Sequence, residues 1–312
     1  MRLLLVGLAF ITAPAFAGSV RVVNLGPDFK VFLREIKTEN TIESRRRAWD
    51  NFETKHQFLY DNVVFDKQNN PNWNERREKK LKLFFDTLPA IQDKMISIFD
   101  GADAIVQTHS EKFNQFFPDM PDGLSVYVLP SLMSFNGFVG HLTGEKYTPL
   151  FLGIDLIAQR NDNLDLLFSH EFFHVYHFSK KLKAWSNFAS PLWFEGFATY
   201  VSSVLNPRAS DSDVLMDSDL GTHCNNTTER AKWANDYLKV IAVDGDSELA
   251  EQIYSDWFKI DGAFPVKRRG YCLGLHVLRP LGTDHGLKEM ALWSEDWFKS
   301  KVEQMLTEMA AQ

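Results

Sequence analysis

Apolar and charged positions interleave at helical spacing through the first third of the chain. Phe29 to Tyr60 mixes the two, and Asn69-Asn70-Pro71-Asn72 breaks the pattern. From Asn74 to Phe99 it resumes, with Leu81, Leu83, Phe84, Leu88, Ile91, Met95, Ile98 and Phe99 on one face and charges opposite. Residues 18–120 therefore predict an N-terminal helical region. The basic runs Arg45 to Arg47 and Arg76 to Lys82 read as solvated helix faces.

From Pro118 the texture changes. Leu124 to Leu129, Ser134 to His141 and Pro149 to Ile157 read as three short strands joined by turns. One of them is expected at a sheet edge, where Gly137 would let another backbone approach. A helix follows from about Asn163 to Leu182, apolar nearly all round and hence buried. A second helix runs from about Leu192 to Leu205 and stops at Asn206-Pro207. Residues 207–224 look loop-like, with Asp211, Asp213, Asp217 and Asp219, and three or four helices complete the chain. The resulting division is 121–206 for the sheet and its helices and 207–312 for a helical lobe.

Composition narrows the class. Among 312 residues, 41 acids outweigh 34 bases for a net charge of −7, which argues against nucleic acid as a main partner. Residues 1–17 have the three parts of a secretory signal: Arg2, the apolar run Leu3 to Ile11, and Ala15-Phe16-Ala17 before an expected cut at Gly18. The expectation is an exported protein, periplasmic or secreted. No later run reaches the ~18 apolar residues of a membrane helix, so no integral membrane segment is expected after cleavage. Cys224 and Cys272 are the only cysteines. An exported pair can oxidise, and a bridge closing roughly 50 residues is worth about 4 kcal/mol, but sequence leaves the pairing open.

The chemistry concentrates at His170-Glu171-Phe172-Phe173-His174. Histidines four apart lie on one helix face and can grip one zinc ion from one side. Glu195, on the next predicted helix, can supply a third donor and leave a position for water. Glu171 is then placed to take that water's proton. His177, three past His174, reads as a satisfied core histidine. The four aspartates lack the glycine and terminal glutamate of a calcium loop.

On these residues the chain resembles the gluzincin metallopeptidases, whose third ligand is a glutamate on the helix after HExxH. Leu192-Trp193-Phe194-Glu195-Gly196-Phe197-Ala198-Thr199-Tyr200 is especially similar to their glutamate helix. Within them, residues 124 to 280 most resemble a family of bacterial predicted zinc-dependent proteases. The resemblance implies His170, His174 and Glu195 as ligands of Zn2+, Glu171 as general base, and a peptide or protein substrate. The chain lacks the Gly-x-Met-Glu-Asn segment of aminopeptidases. Thr199 stands where some gluzincins carry an acid, a departure from their pattern, although its hydroxyl could still hydrogen-bond a ligand histidine.

An oxyanion needs a donor besides zinc. Tyr271, in Arg268-Arg269-Gly270-Tyr271-Cys272-Leu273-Gly274, is the first candidate; His276 and His223 are weaker rivals, and Arg269 could face a substrate carboxylate. The expected fold is α+β and zincin-like: a small mixed sheet on the active-site helix, a helical C-terminal lobe, and bracing N-terminal helices. The expected activity is zinc-dependent peptide hydrolysis. The alternatives are a non-catalytic zinc-containing peptide- or partner-binding protein, or a zinc hydrolase of another amide such as a cell-wall peptide.

Overall fold

The computed structural model describes residues 19–38, 41–180 and 186–312. The expected signal segment, 1–17, lies outside the described residues. The chain is α+β. Among the described residues there is one sheet, of four strands in the order β1-β2-β4-β3: β1 (Val20–Asn24), β2 (Leu124–Leu129), β3 (Gly137–Val139) and β4 (Leu150–Gly153). β1, β2 and β4 run parallel, and β3 pairs antiparallel with β4 at the edge, with Phe138 opposite Phe151.

The N-terminal region contributes helices α1 (Gly26–Thr38), α2 (Ile42–Lys55) and short α3 (Gln57–Leu59), followed by a π turn over Tyr60–Val64 and the 42-residue α4 (Trp73–Asn114). At 1.5 Å per residue α4 is about 60 Å long. The expected apolar face extends beyond Phe99, but Leu83 falls off it and is exposed. Leu81, Phe84, Leu88, Ile91, Met95, Phe99, Ala102, Val106 and Phe113 are buried along one seam. Pro89 removes one backbone donor, yet it lies on the solvent side and the helix continues.

The N-terminal part is mostly helical as expected, and β1 is the strand within it that was not anticipated. Five residues running straight into α1 are too short to carry a clear strand period of their own. Their pairing partner, beginning at Leu124, lies about a hundred positions away, and local periodicity cannot report such a contact.

α5 (Ile154–Arg160) leads into α6 (Leu164–Ser179), whose residues Leu166 to His177 are all buried. α7 (Ala189–Leu205) packs on α6, tied by Ser202 Oγ donating to Leu166 O at 2.7 Å. The stretch expected as loop forms two short helices, α8 (Asp211–Val214) and α9 (Ser218–Cys224). Its aspartates explain why. Asp213 completes a capping box with Ser210, Asp217 accepts from Leu220 N, and Asp211 pairs with Arg279.

The remaining helices are α10 (Thr227–Leu238), α11 (Ala250–Phe258), α12 (Arg269–Asp284), α13 (Leu287–Met290) and α14 (Glu295–Ala310). α12 crosses α7 where Gly196 meets Gly274; a Cβ on Gly196 would sit 2.4 Å from Gly274 Cα. Cys224 and Cys272 are joined, with Cα atoms 5.8 Å apart, which fastens α9 to α12. No helix among the described residues is long and apolar enough to cross a membrane.

Candidate metal centre

α6 begins at Asn163, whose side chain accepts from Asp165 N and Leu166 N at 3.0 and 3.4 Å. That start sets the helical phase that carries His170, Glu171 and His174 onto the wall of one cavity. All three are buried. Glu195 reaches the same point from α7.

The three donors form a tight triangle. His170 Nε2 and His174 Nε2 are 3.0 Å apart, and Glu195 Oε2 lies 3.4 Å from the first and 3.5 Å from the second. Around a tetrahedral ion with bonds of 2.0–2.1 Å, donor atoms stand about 3.3 Å from one another. The triangle therefore fits a zinc-sized cation bound by two imidazoles and a carboxylate. The donor chemistry agrees, since two ring nitrogens aimed at each other and at a carboxylate need a cation or a proton between them. His170 Nδ1 is buried with no partner among the described residues.

Charge distribution follows from this crowding. Burial works against a charged His174, but Glu195 outweighs it and raises the imidazole above its ordinary value. Burial pushes His170 down to about 4. Glu195, opposed by burial but favoured by His174 and by its bonds to both rings, is held well below the usual carboxylate range. Glu171 is raised to about 7, mainly by burial and further by Glu195. A carboxylate poised there is suited to receiving and returning a proton near neutral pH.

The strand over the triad is placed by a strained turn. Leu132 and Met133 have φ of 53° and 57°, a costly region for such side chains. Buried Asp155 holds the turn by accepting from Ser131 N at 2.6 Å and Met133 N at 2.5 Å. β3 then passes directly above Glu171. A Cβ on Gly137 would lie 2.5 Å from Glu171 Cγ, Cδ and Oε1. β3 is at the sheet edge as expected, but the room that Gly137 leaves is taken by Glu171 rather than by another backbone.

The cavity holds about 430 Å³. Tyr271, in the first turn of α12, lines it; its ring stacks 6.1 Å from that of His170 and its hydroxyl engages Glu195. Burial, then the Glu195 charge, keeps that phenol protonated far above its ordinary range. Asn136, Arg160, Tyr254 and Arg268 also line the cavity, and none of these was singled out as a site residue from the sequence.

Several expectations are not met. Arg269 turns away from the cavity into aromatic rings, 3.5 Å from the Phe264 centroid and 4.1 Å from that of Trp257. Its neighbour Arg268 takes the cavity position, because α12 starts between them and Arg268 has φ 56°. Thr199 Oγ1 donates to the Glu195 carbonyl at 2.7 Å and is thereby spent within its own helix rather than on a histidine. His223 pairs with Glu229 at 2.7 Å, and His276 sits beside Asp211; neither lines the cavity. His177 is a core residue as read, among Phe173, Phe194 and Phe197, and burial pushes it down to about 3. Its ring nitrogens, however, have no hydrogen-bond partner among the described residues.

Comparison of the chain with protein-family models, with curated proteins and with solved structures finds no match.

Proposed function

We propose that this protein is an exported zinc metallopeptidase of the gluzincin type, with a zincin-like arrangement of sheet and active-site helix. The observation that carries the reading is the donor triangle of His170, His174 and Glu195, at 3.0, 3.4 and 3.5 Å, with Glu171 in the same cavity. His170 and His174 from α6 and Glu195 from α7 would hold the ion. When bound, zinc supplies a Lewis acid that acidifies water and polarises a carbonyl.

The chain's own residues do the rest. Glu171, outside the triangle, takes a proton from the attacking water and returns it to the leaving amine. The Tyr271 hydroxyl donates to the oxygen that gains charge. The free edge of β3 offers backbone pairing to an extended peptide, which selects conformation more than sequence. Three protein donors rather than four support catalysis over a structural zinc. His177, the next histidine on α6, lies in the aromatic core and not with these donors.

The test is metal content and peptide-library cleavage, with and without chelator. The expected result is about one zinc per chain and chelator-sensitive cleavage, with Glu171→Gln keeping zinc and losing activity. A fully active Glu171→Gln protein refutes the mechanism. Cell fractionation tests export, which a purely cytoplasmic full-length chain would exclude.

A further inference from the structure

The cavity contains two arginines in different states. Arg160 is already matched: its Nε lies 3.3 Å from the carboxylate of Asp162, and its Nη2 donates to Met216 O at 3.2 Å. Arg268 is not matched. It has no ion-pair partner among the described residues. Only its Nη1 is used, donating to Leu215 O at 3.2 Å.

Arg268 is nevertheless held firmly. Its guanidinium carbon lies over the Tyr271 ring, 4.1 Å from the centroid. Its backbone adopts φ 56° at the start of α12. Contact with the ring and the single bond from Nη1 leave Nε and Nη2 without a hydrogen-bond acceptor among the described residues, and a guanidinium binds a carboxylate through such paired N–H groups. No carboxylate among the described residues closes an ion pair with this half-buried guanidinium, although its charge reaches Glu171 and opposes the rise of that carboxyl, and a left-handed arginine adds strain. The cavity also carries Glu171 and Glu195, which repel an anionic substrate unless a cation offsets them.

We propose that Arg268 captures a carboxylate of the peptide substrate, so that this protein acts on peptides presenting an acidic side chain or a free C-terminus close to the scissile bond. This rests on the peptidase reading above and names its substrate class. Lying over Tyr271, Arg268 also couples substrate capture to the ring that faces His170.

The test measures binding, separately from turnover. Alanine-based hexapeptides are made in four forms, with Asp or Asn at one interior position and with a free or amidated C-terminus. Their affinities are measured by calorimetry on the full-length zinc-loaded Glu171→Gln protein, alone and combined with Arg268→Gln or Arg268→Lys. A charge-assisted pair predicts about tenfold or tighter binding of the carboxylate forms. Arg268→Gln removes the preference, and Arg268→Lys, which keeps charge but not the fork, reduces it. The four forms tell side-chain from C-terminal recognition.

Equal binding of all four forms, no binding of any, or a preference that survives both Arg268 substitutions overturns the proposal. If Arg268→Gln fails to fold, the Arg268→Lys comparison decides. Turnover by the unsubstituted protein keeps the two readings apart. Cleavage without carboxylate preference removes this inference alone. Carboxylate-selective binding without zinc-dependent cleavage removes the peptidase reading and leaves Arg268 as an anion site.

Discussion

Gly137 and Glu171 are fitted to each other: a Cβ on the glycine would lie 2.5 Å from the carboxyl carbon of the glutamate. The edge strand and α6 approach so closely that only a hydrogen fits between them. The strand therefore acts as a lid over Glu171, and it shares the burial that lifts the carboxylate to about 7.

Gly137→Ala should therefore displace Glu171 without touching the donor triangle. The expected outcome is a fall in kcat of about 100-fold, the scale of a lost general base, with zinc content unchanged. Steady-state kinetics and metal analysis check it. Loss of zinc alongside activity would place the effect on the fold instead.

Zinc affinity should weaken as pH falls. In the metal-free protein His174 is raised above its ordinary value by Glu195. Below that raised value the imidazole is protonated, and zinc must displace the proton. Above it the ring is neutral and ready to bind. Chelator competition between pH 8 and pH 5 should show affinity dropping about tenfold for each proton displaced per pH unit. A flat profile would indicate donors other than these imidazoles.

Removing the Cys224–Cys272 bond should cost stability. It closes a loop of 48 positions, for which the chain-entropy estimate is about 4 kcal/mol. Cys224→Ser with Cys272→Ser should lower the urea midpoint, and a reductant should do the same to the unsubstituted protein. Because Cys272 adjoins Tyr271, activity should fall together with stability.

Arg77 should prove a structural keystone far from the metal. It is buried between α4 and α2, with Nη2 2.6 Å from Asp50 and 2.8 Å from Glu53, and a further contact to Glu78. Arg77→Ala leaves the shielded Glu53 unpaired, while Asp50 and Glu78 reach solvent, and should cost about 2 kcal/mol. Denaturant unfolding measures the loss, and zinc stoichiometry of the folded fraction should not change.

Metal binding by the folded protein also makes its stability zinc-dependent. His174→Ala should abolish the rise in Tm that zinc gives the unsubstituted chain, since only a ligand that prefers the folded state stabilises it. Thermal scans with and without added zinc test this directly. An undiminished rise in His174→Ala would remove that ring from the ligand set.

The sequence alone determined what depends on neighbours along the chain. The separation of His170 from His174 is a property of one helical turn, so their shared face was legible before any tertiary contact. The apolar seam of α4 was legible for the same reason, as was the all-round burial of α6. The tertiary structure alone decided relations between distant segments. It brought Glu195 within 3.4 and 3.5 Å of the two rings, paired β1 with β2, and joined Cys224 to Cys272. It chose Arg268 over Arg269 for the cavity through where α12 begins, and it gave Gly137 to Glu171. Helical period fixes only short-range geometry; which faces meet is set by packing of the whole core, and no repeat in the chain encodes that.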